Sequence, residues 1–446
     1  MALDRTAEQS WARDQRAAKS VEAKPLPGIT KVFSAGAACF VPHVLDRGRA
    51  VIGRDPECDL VGDDANMSRR HAEVRFDGQA WRAEDLGSRN GTFLDGLPAP
   101  RMAGPRGVLA TGDTLFLLSD DIRPFLAQSV ELKDGIVIGP TLRRAWSDVE
   151  RAAQASSVVH LRGETGCGKE LAARWFHEAG PRAAGSLVTV NCAALPSPIA
   201  ERLIFGVRRG AYSGADANAD GYLAAAEDGT LFLDEVAELS LEVQAKLLRV
   251  VEERELLPLG AARARRINIG FVTATHGDLR DQATAGQFRQ DLYFRLGKPT
   301  VTLPPLRQRL EDVPFLVERA LSQLSPPRYP HASLVEAALQ RAWPGNVREL
   351  LRDIAEAASR ATGTERVRAE HLDVHAGHAL AATARTDDNA PRIRKALSRA
   401  QGNVSRAARE LGMHRTQLRR WLALHGTDDP ESSGEHASIT PCECDE

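Results

Sequence analysis

The run Gly163-Glu164-Thr165-Gly166-Cys167-Gly168-Lys169 constrains what this chain can fold into more than any other stretch of it. It follows an apolar run, Val158-Val159-His160-Leu161, and precedes a helical pattern from Glu170 to Glu178. Strand, glycine-rich turn and helix start are the frame that a phosphate-binding loop requires. Glycines let the backbone fold tightly enough for its N–H groups to converge on phosphate oxygens. The helix N-terminus adds a favourable dipole, and Lys169 supplies a mobile positive charge. Glu170 stands where Ser or Thr commonly provides a Mg²⁺-binding hydroxyl, so this chain departs from the general pattern there.

A second half of such a site lies downstream. The apolar run Gly229-Thr230-Leu231-Phe232-Leu233 ends in Asp234 and Glu235. Asp234 is placed to hold Mg²⁺ through water, and Glu235 to polarise an attacking water. By itself the pattern also fits a strand running into an acidic helix start. After a phosphate loop it points to ATP and Mg²⁺ as cofactors.

At 446 residues the chain is long enough for two to four domains. Its 43% hydrophobic and 26% charged content is that of a globular protein. A net charge of -2 carries no whole-molecule signature for nucleic acid or membrane, so local charge has to be read instead. Six cysteines, Cys39, Cys58, Cys167, Cys192, Cys442 and Cys444, form neither a disulfide framework nor paired zinc spacing, which suits a reducing cytoplasm. No apolar run reaches the roughly 20 residues of a membrane span, and Met1 to Lys24 lacks the apolar stretch of a signal peptide.

The texture of the chain changes along its length. Residues 1–28 read as a polar arm. Over 29–128, short β-type runs such as Ala50-Val51-Ile52, Ala72 to Phe76 and Thr114 to Leu118 alternate with turn clusters, which predicts a β-sandwich. From 132 to 375, helical patterns such as Thr141 to Ala155 alternate with apolar strands, the mark of an α/β domain, with an all-helical end from about 305. Residues 376–390 suit a linker and 391–426 a short helical module. The tail 427–446 has seven acids and no Lys or Arg, a disorder composition.

Further motifs sharpen the central domain: Asn191-Cys192-Ala193-Ala194-Leu195, Ala274-Thr275-His276, Phe288 to Leu296, Pro304 to Asp312 and Trp343 to Leu350. In this order they resemble the AAA+ domain of bacterial enhancer-binding proteins, the activators of sigma-54 RNA polymerase. That family writes Glu after the phosphate-loop lysine, which accounts for Glu170. The resemblance implies roles by position. Gly163 to Glu170 and Arg348 would bind nucleotide, Asn191 would restrain Glu235, and Thr275 would sense the γ-phosphate. Arg289 and Arg295 would reach a neighbouring subunit's site, which makes hydrolysis depend on a ring, expected to be hexameric. Two positions depart from the family: Cys167 replaces Thr and His276 replaces Asn. A thiol in so cationic a helix-start setting is a candidate for a lowered pKa and a redox role, against the plain reading as a tolerated small residue.

The segment Gly210-Ala211-Tyr212-Ser213-Gly214-Ala215 occupies the place of the family's Gly-Ala-Phe-Thr-Gly-Ala loop, which grips sigma-54. Tyr212 and Ser213 keep the aromatic face and the hydroxyl, and Tyr adds a polar handle. The N-terminal β-region carries Gly53-Arg54, Ser68-Arg69-Arg70-His71 and Leu86 to Thr92, an order that resembles the forkhead-associated (FHA) domain, a phosphothreonine reader. By that resemblance Arg54, Ser68 and Arg69 would hold phosphate and Asn90 the peptide backbone, with His71 and Gly91 shaping the loops.

The last module reads as two helices around Gly412 and resembles the Fis-type helix-turn-helix of the same activators. Between Pro391 and Gly426 there are nine Lys or Arg and one acid, Glu410, the local footprint of DNA binding. Arg415, Thr416 and Gln417 would meet base edges, and Arg419 and Arg420 phosphates.

Together these features imply a multidomain protein of the bacterial cytoplasm. A β-sandwich FHA domain, a central α/β AAA+ ATPase with helical lid and an all-α helix-turn-helix would activate sigma-54 RNA polymerase from upstream enhancer-like DNA. A phosphothreonine protein or Ser/Thr kinase would be a partner. Two other readings stay open on sequence alone: an AAA+ regulator acting on a different client, and a DNA-bound phosphopeptide scaffold that does not hydrolyse ATP.

Overall fold

A computed structural model describes residues 25–211, 217–377 and 390–400, with positions 407 and 411. The described chain falls into two units, one ending at Ala379 and one beginning at Leu380.

The first unit opens with the expected sandwich. One antiparallel sheet runs, edge to edge, Ala37–Val44, Gly28–Ser34, Thr114–Ser119, Arg106–Thr111, Thr92–Leu94 and Leu97–Pro98. The other runs Leu60–Val61, Arg49–Gly53, Ala72–Phe76, Trp81–Asp85 and Arg101–Ala103. Alternation does the sorting: along Trp81–Asp85, Trp81 and Ala83 are buried while Arg82 faces out. Ile52, Val74, Trp81, Leu109 and Phe116 fill the space between the sheets.

The central domain is built on five parallel strands in the order Leu187–Asn191, Thr230–Asp234, Gly270–Thr275, Val158–Arg162 and Thr300–Thr302. Every residue of Gly270–Thr275 is buried, which is why the strand carries no charged side chain on either face instead of alternating. Helix Pro140–Ala155 starts on proline and turns Leu142, Ala145, Trp146, Val149 and Ala152 inward. Register pairs Asn191 with Asp234, Asp234 with Ala274, and Arg162 with Thr275, so the sheet delivers its chemistry at one carboxyl edge.

Helices Val313–Ser322, Ala332–Leu339 and Asn346–Arg360 form the lid. The sandwich does not hang free of it. Val32, Phe33, Val108, Ala110, Leu115 and Leu117 of the first sheet share one apolar core with Leu316, Val335, Leu339 and Trp343 of the lid. Polar contacts border the seam: Ala38 N–H donates to Glu318 Oε2 at 3.3 Å, and His331 Nε2 lies 3.8 Å from Asp113 Oδ1.

The second unit is described over helix Ala390–Arg399, with Ala396 and Ala400 buried. The polar arm 1–24, Tyr212 to Ala215, the recognition positions Arg415, Thr416, Gln417, Arg419 and Arg420, and the tail with Cys442 and Cys444 lie outside the described residues.

A shared core makes sandwich and lid one cooperative block. Phe33, 1% exposed, supports both. We predict that Phe33→Ala destabilises this block by about 3–5 kcal/mol, read by calorimetry as a downward shift of one common transition. Separate melting of sandwich and lid would contradict the shared core.

Candidate active site

The carboxyl edge of the parallel sheet opens on a cavity of about 430 Å³. Its phosphate end is the turn from Thr165 to Leu171, faced by Asp234 and Glu235. Gly168 caps helix Lys169–Ala179 at φ 110°, a backbone state that side chains resist. Gly166 is held twice over: its φ is 74°, and a Cβ there would lie 2.2 Å from the Gly345 carbonyl of the lid, so no larger residue fits. The opposite wall is apolar, made by Ile136, Val137, Leu142, Trp146, Leu316 and Leu351. A flat aromatic base at one end and a chain of phosphates at the other match these two ends.

The lid grips the phosphate loop. Arg307 donates to both Glu164 carboxylate oxygens, at 2.7 and 2.5 Å. The Asn346 amide donates to Glu164 Oε2 at 3.2 Å and to the Thr165 carbonyl at 2.9 Å, while its own oxygen accepts from Leu306 N–H at 2.7 Å. Buried Arg309 donates to the Cys167 carbonyl at 2.9 Å and to Asp312 at 3.2 Å. The Arg307 guanidinium holds the Glu164 carboxyl below its ordinary value. Burial pushes Asp312 up to about 7, against the charge of Arg309.

Lys169 is 8% exposed and donates to the Gly163 carbonyl at 3.0 Å and to Glu235 Oε1 at 3.3 Å. The other Glu235 oxygen meets His276 twice, from the ring Nδ1 at 3.0 Å and from the main-chain N–H at 3.3 Å. Glu235 also holds a left-handed backbone, φ 52° and ψ 50°, uncommon for a side chain of this kind. Burial opposes its ionisation, but the His276 hydrogen bond and the Lys169 charge outweigh burial and leave the carboxyl below its ordinary value. Asp234 behaves oppositely, because burial pushes it up further than Lys169 pulls it down. Its Oδ1 accepts from Glu235 N–H at 3.2 Å. Two hard carboxylate oxygens at the phosphate end are the donor type that Mg²⁺ takes alongside a nucleotide.

The cavity therefore gathers Thr165 to Glu170, Asp234, Glu235 and Arg348 from the sequence expectations. Asn191 and Thr275 end neighbouring strands without lining it: the Asn191 side chain accepts from Ala193 N–H at 3.0 Å, and the Thr275 hydroxyl donates to the Gly277 carbonyl at 2.9 Å. Arg289 and Arg295 stay outside it, paired to Asp291 and Glu252 at 2.7 and 2.8 Å. Cys167 fits the reading as a small buried residue and not that of an activated thiol. It is buried, and burial raises its pKa against the pull of Lys169 and Arg309. Arg307, Arg309 and Asn346 sit inside quoted motifs that gave them no role; Arg319, which also lines the cavity, and the apolar wall carry no motif at all.

In the sandwich three loops converge. Arg54 N–H donates to the Ser68 carbonyl at 3.0 Å, Arg89 N–H to Ser68 Oγ at 3.1 Å, and the Asn90 amide to the Asn66 carbonyl at 2.7 Å. Buried His71 bridges two of the loops, accepting from Ser68 N–H and meeting the Gly91 carbonyl, both at 3.0 Å. Arg54 and Arg69 are exposed beside them. In the central domain, Val207 and Ala219 pair across the base of the Tyr212 segment, and Gly210 holds φ 83°.

Sheet order, phosphate loop, paired acids and helical lid define an ATPase of the AAA+ class. Comparison with known proteins specifies it further. The model of the sigma-54 interaction domain matches residues 136–302, the AAA+ ATPase lid domain 307–389, the FHA domain 50–117, and the bacterial regulatory protein, Fis family, 389–423. The transcriptional regulatory protein GlrR of Escherichia coli (strain K12) is 34% identical over 328 residues, 71% of this chain and 74% of that protein. The hydrogenase transcriptional regulatory protein HoxA of Bradyrhizobium diazoefficiens is 39% identical over 296 residues, 62% and 61% of the two chains. The solved structure of NtrX from Brucella abortus in complex with ATP is 29% identical, covers 67% of this chain and 69% of its own, and superposes with a TM-score of 0.50. This chain belongs to the family of sigma-54-dependent transcriptional regulators, with an FHA domain ahead of its ATPase. No helix among the described residues is long and apolar enough to cross a membrane.

Proposed function

We propose that this protein binds DNA upstream of sigma-54 promoters and uses ATP hydrolysis to remodel the closed polymerase complex. The observation that carries the reading is the placement of Lys169 and Glu235, 3.3 Å apart at the phosphate end of a cavity with an apolar far wall. Incoming ATP places its base against Trp146 and Leu142 and its phosphates on the Thr165 to Glu170 turn. The phosphates compete for Lys169, whose ammonium leaves Glu235 for the more concentrated charge. One Glu235 oxygen is then free to accept a proton from the water that attacks the γ-phosphorus as ADP departs. Asp234 would hold Mg²⁺, which when bound neutralises charge on the β- and γ-phosphates. Arg348 contacts the nucleotide from the lid, Thr275 senses the γ-phosphate, and Asn191 restrains Glu235 according to nucleotide state.

Arg289 and Arg295 belong to the adjoining copy's site in this reading, and a ring, hexameric as in the family, is the working form. The Gly210 to Ala215 segment touches sigma-54, and Arg415, Thr416, Gln417, Arg419 and Arg420 hold DNA. A phosphothreonine protein engages Arg54, Ser68, Arg69 and Asn90. A polar path leads from there to the lid: Asn90 donates to the Asn66 carbonyl, the Asn66 amide to Asp113 at 2.7 Å, and Asp113 faces His331, which caps lid helix Ala332–Leu339. The shared apolar core beneath this path supports control of ATP turnover through the lid.

Transcription from a sigma-54 promoter with purified holoenzyme is expected to require ATP and to collapse by at least about 100-fold in Glu235→Gln. Normal ATPase with no transcription would point to another client. For the sensor, a phosphothreonine peptide is expected to bind wild type, and Arg54→Ala to lose at least about ten-fold in affinity; equal binding by titration calorimetry would remove Arg54 from the site.

A further inference from the structure

Position 276 carries Asn in the family pattern and His here, and the histidine has a contact with consequences for hydrolysis. We infer that His276 is the residue that orients Glu235 for attack, by donating from its ring to one carboxylate oxygen so that the other is presented as the base. The inference rests on the ATPase reading of the cavity and deepens it.

Three observations combine. The first is the division of labour at Glu235: Oε1 is held by Lys169 and Oε2 by the ring and the main chain of His276. A carboxylate oxygen accepts, so in this 3.0 Å contact Nδ1 is the donor. The second is the charge balance of the cavity. Lys169 is the group that phosphates draw away, and its departure frees Oε1 while leaving Oε2 held. Without the ring bond the carboxylate keeps one long contact, the 3.3 Å main-chain N–H, and can rotate. The third is the occupation of Asn191. Its side-chain oxygen accepts from Ala193 N–H, capping the short helix Cys192–Ala194, and the described partners of the Glu235 carboxylate are Lys169 and His276.

The left-handed backbone at Glu235 adds a reason for a side-chain anchor. A strained peptide fixes where the side chain leaves the strand, but not how its carboxylate turns. His276 is suited to the test because its side chain is 62% exposed. Removing the ring therefore takes no core packing with it, and an effect on turnover is not a packing effect.

The test is steady-state ATPase of the full chain at ring-forming concentration, with binding of a fluorescent ADP analogue measured on the same samples. His276→Ala is expected to lower kcat about ten-fold with KM for ATP and ADP-analogue affinity changed less than about two-fold. His276→Asn, which keeps a donor, is expected within about three-fold of wild type. In a Glu235→Gln background, His276→Ala is expected to add nothing, since the two act as one unit. Unchanged kcat in His276→Ala, or an equal loss of kcat and analogue affinity, would overturn the positioning role while leaving the ATPase reading intact. Absence of turnover in the wild type would overturn both.

Discussion

Glu164 is the point on which the two halves of the ATPase close. Its carboxylate takes two bonds from Arg307 and one from Asn346, so a loop on the parallel sheet is tied to the first turns of the helical lid. Arg309 repeats the tie one turn further along, at the Cys167 carbonyl. The arrangement converts local chain stiffness into a cavity: the loop supplies the phosphate end, the lid supplies Leu316 and Leu351, and helix Pro140–Ala155 supplies Trp146 and Leu142. Because Arg307 and Glu164 are each over a third exposed, solvent screens their attraction, and geometry contributes more than charge. Two parallel donors and the fork of the Asn346 amide permit one orientation of loop against lid.

The same lid carries the sandwich. Phe33 and Leu117 enter the core that Val335 and Trp343 complete, so the sandwich rides on the part of the ATPase that brings Arg348 to the cavity. In such a layout a ligand at the Ser68 and Asn90 loops can bias turnover only through differential contact with lid positions. Asp113, joined to Asn66 on one side and His331 on the other, is the residue where that bias would pass.

What could be read from the sequence was what chain-local physics decides. The phosphate loop, the Asp234 and Glu235 pair, and strands such as Ala72–Phe76 are short-range patterns, and each stands where its residues placed it. The FHA, AAA+ and Fis-type modules followed from ordered motifs. The clamp was not legible, because Arg307 and Glu164 lie far apart along the chain and each alone reads as a surface charge. The seam between sandwich and lid was hidden for another reason: Phe33 and Val335 read as ordinary core positions of separate domains, and periodicity does not say which core. At Cys167 burial decides between the two sequence readings in favour of a small buried residue, since cationic surroundings lower a thiol's pKa only where water still reaches it.

One absence in the described cavity organises the whole account. Arg289 and Arg295 pair within their own chain and do not line the pocket, and in the proposed reading a second copy's arginines meet the charge that builds on the γ-phosphate during transfer. Mixing two inactive proteins tests this directly. Glu235→Gln lacks the base and Arg289→Ala lacks the finger, but a mixed ring contains interfaces where an intact Glu235 faces an intact Arg289. The account predicts that each variant alone is silent in ATPase and that the mixture regains a clear fraction of wild-type turnover. A mixture no more active than its components, in rings shown by light scattering to have exchanged subunits, would contradict it.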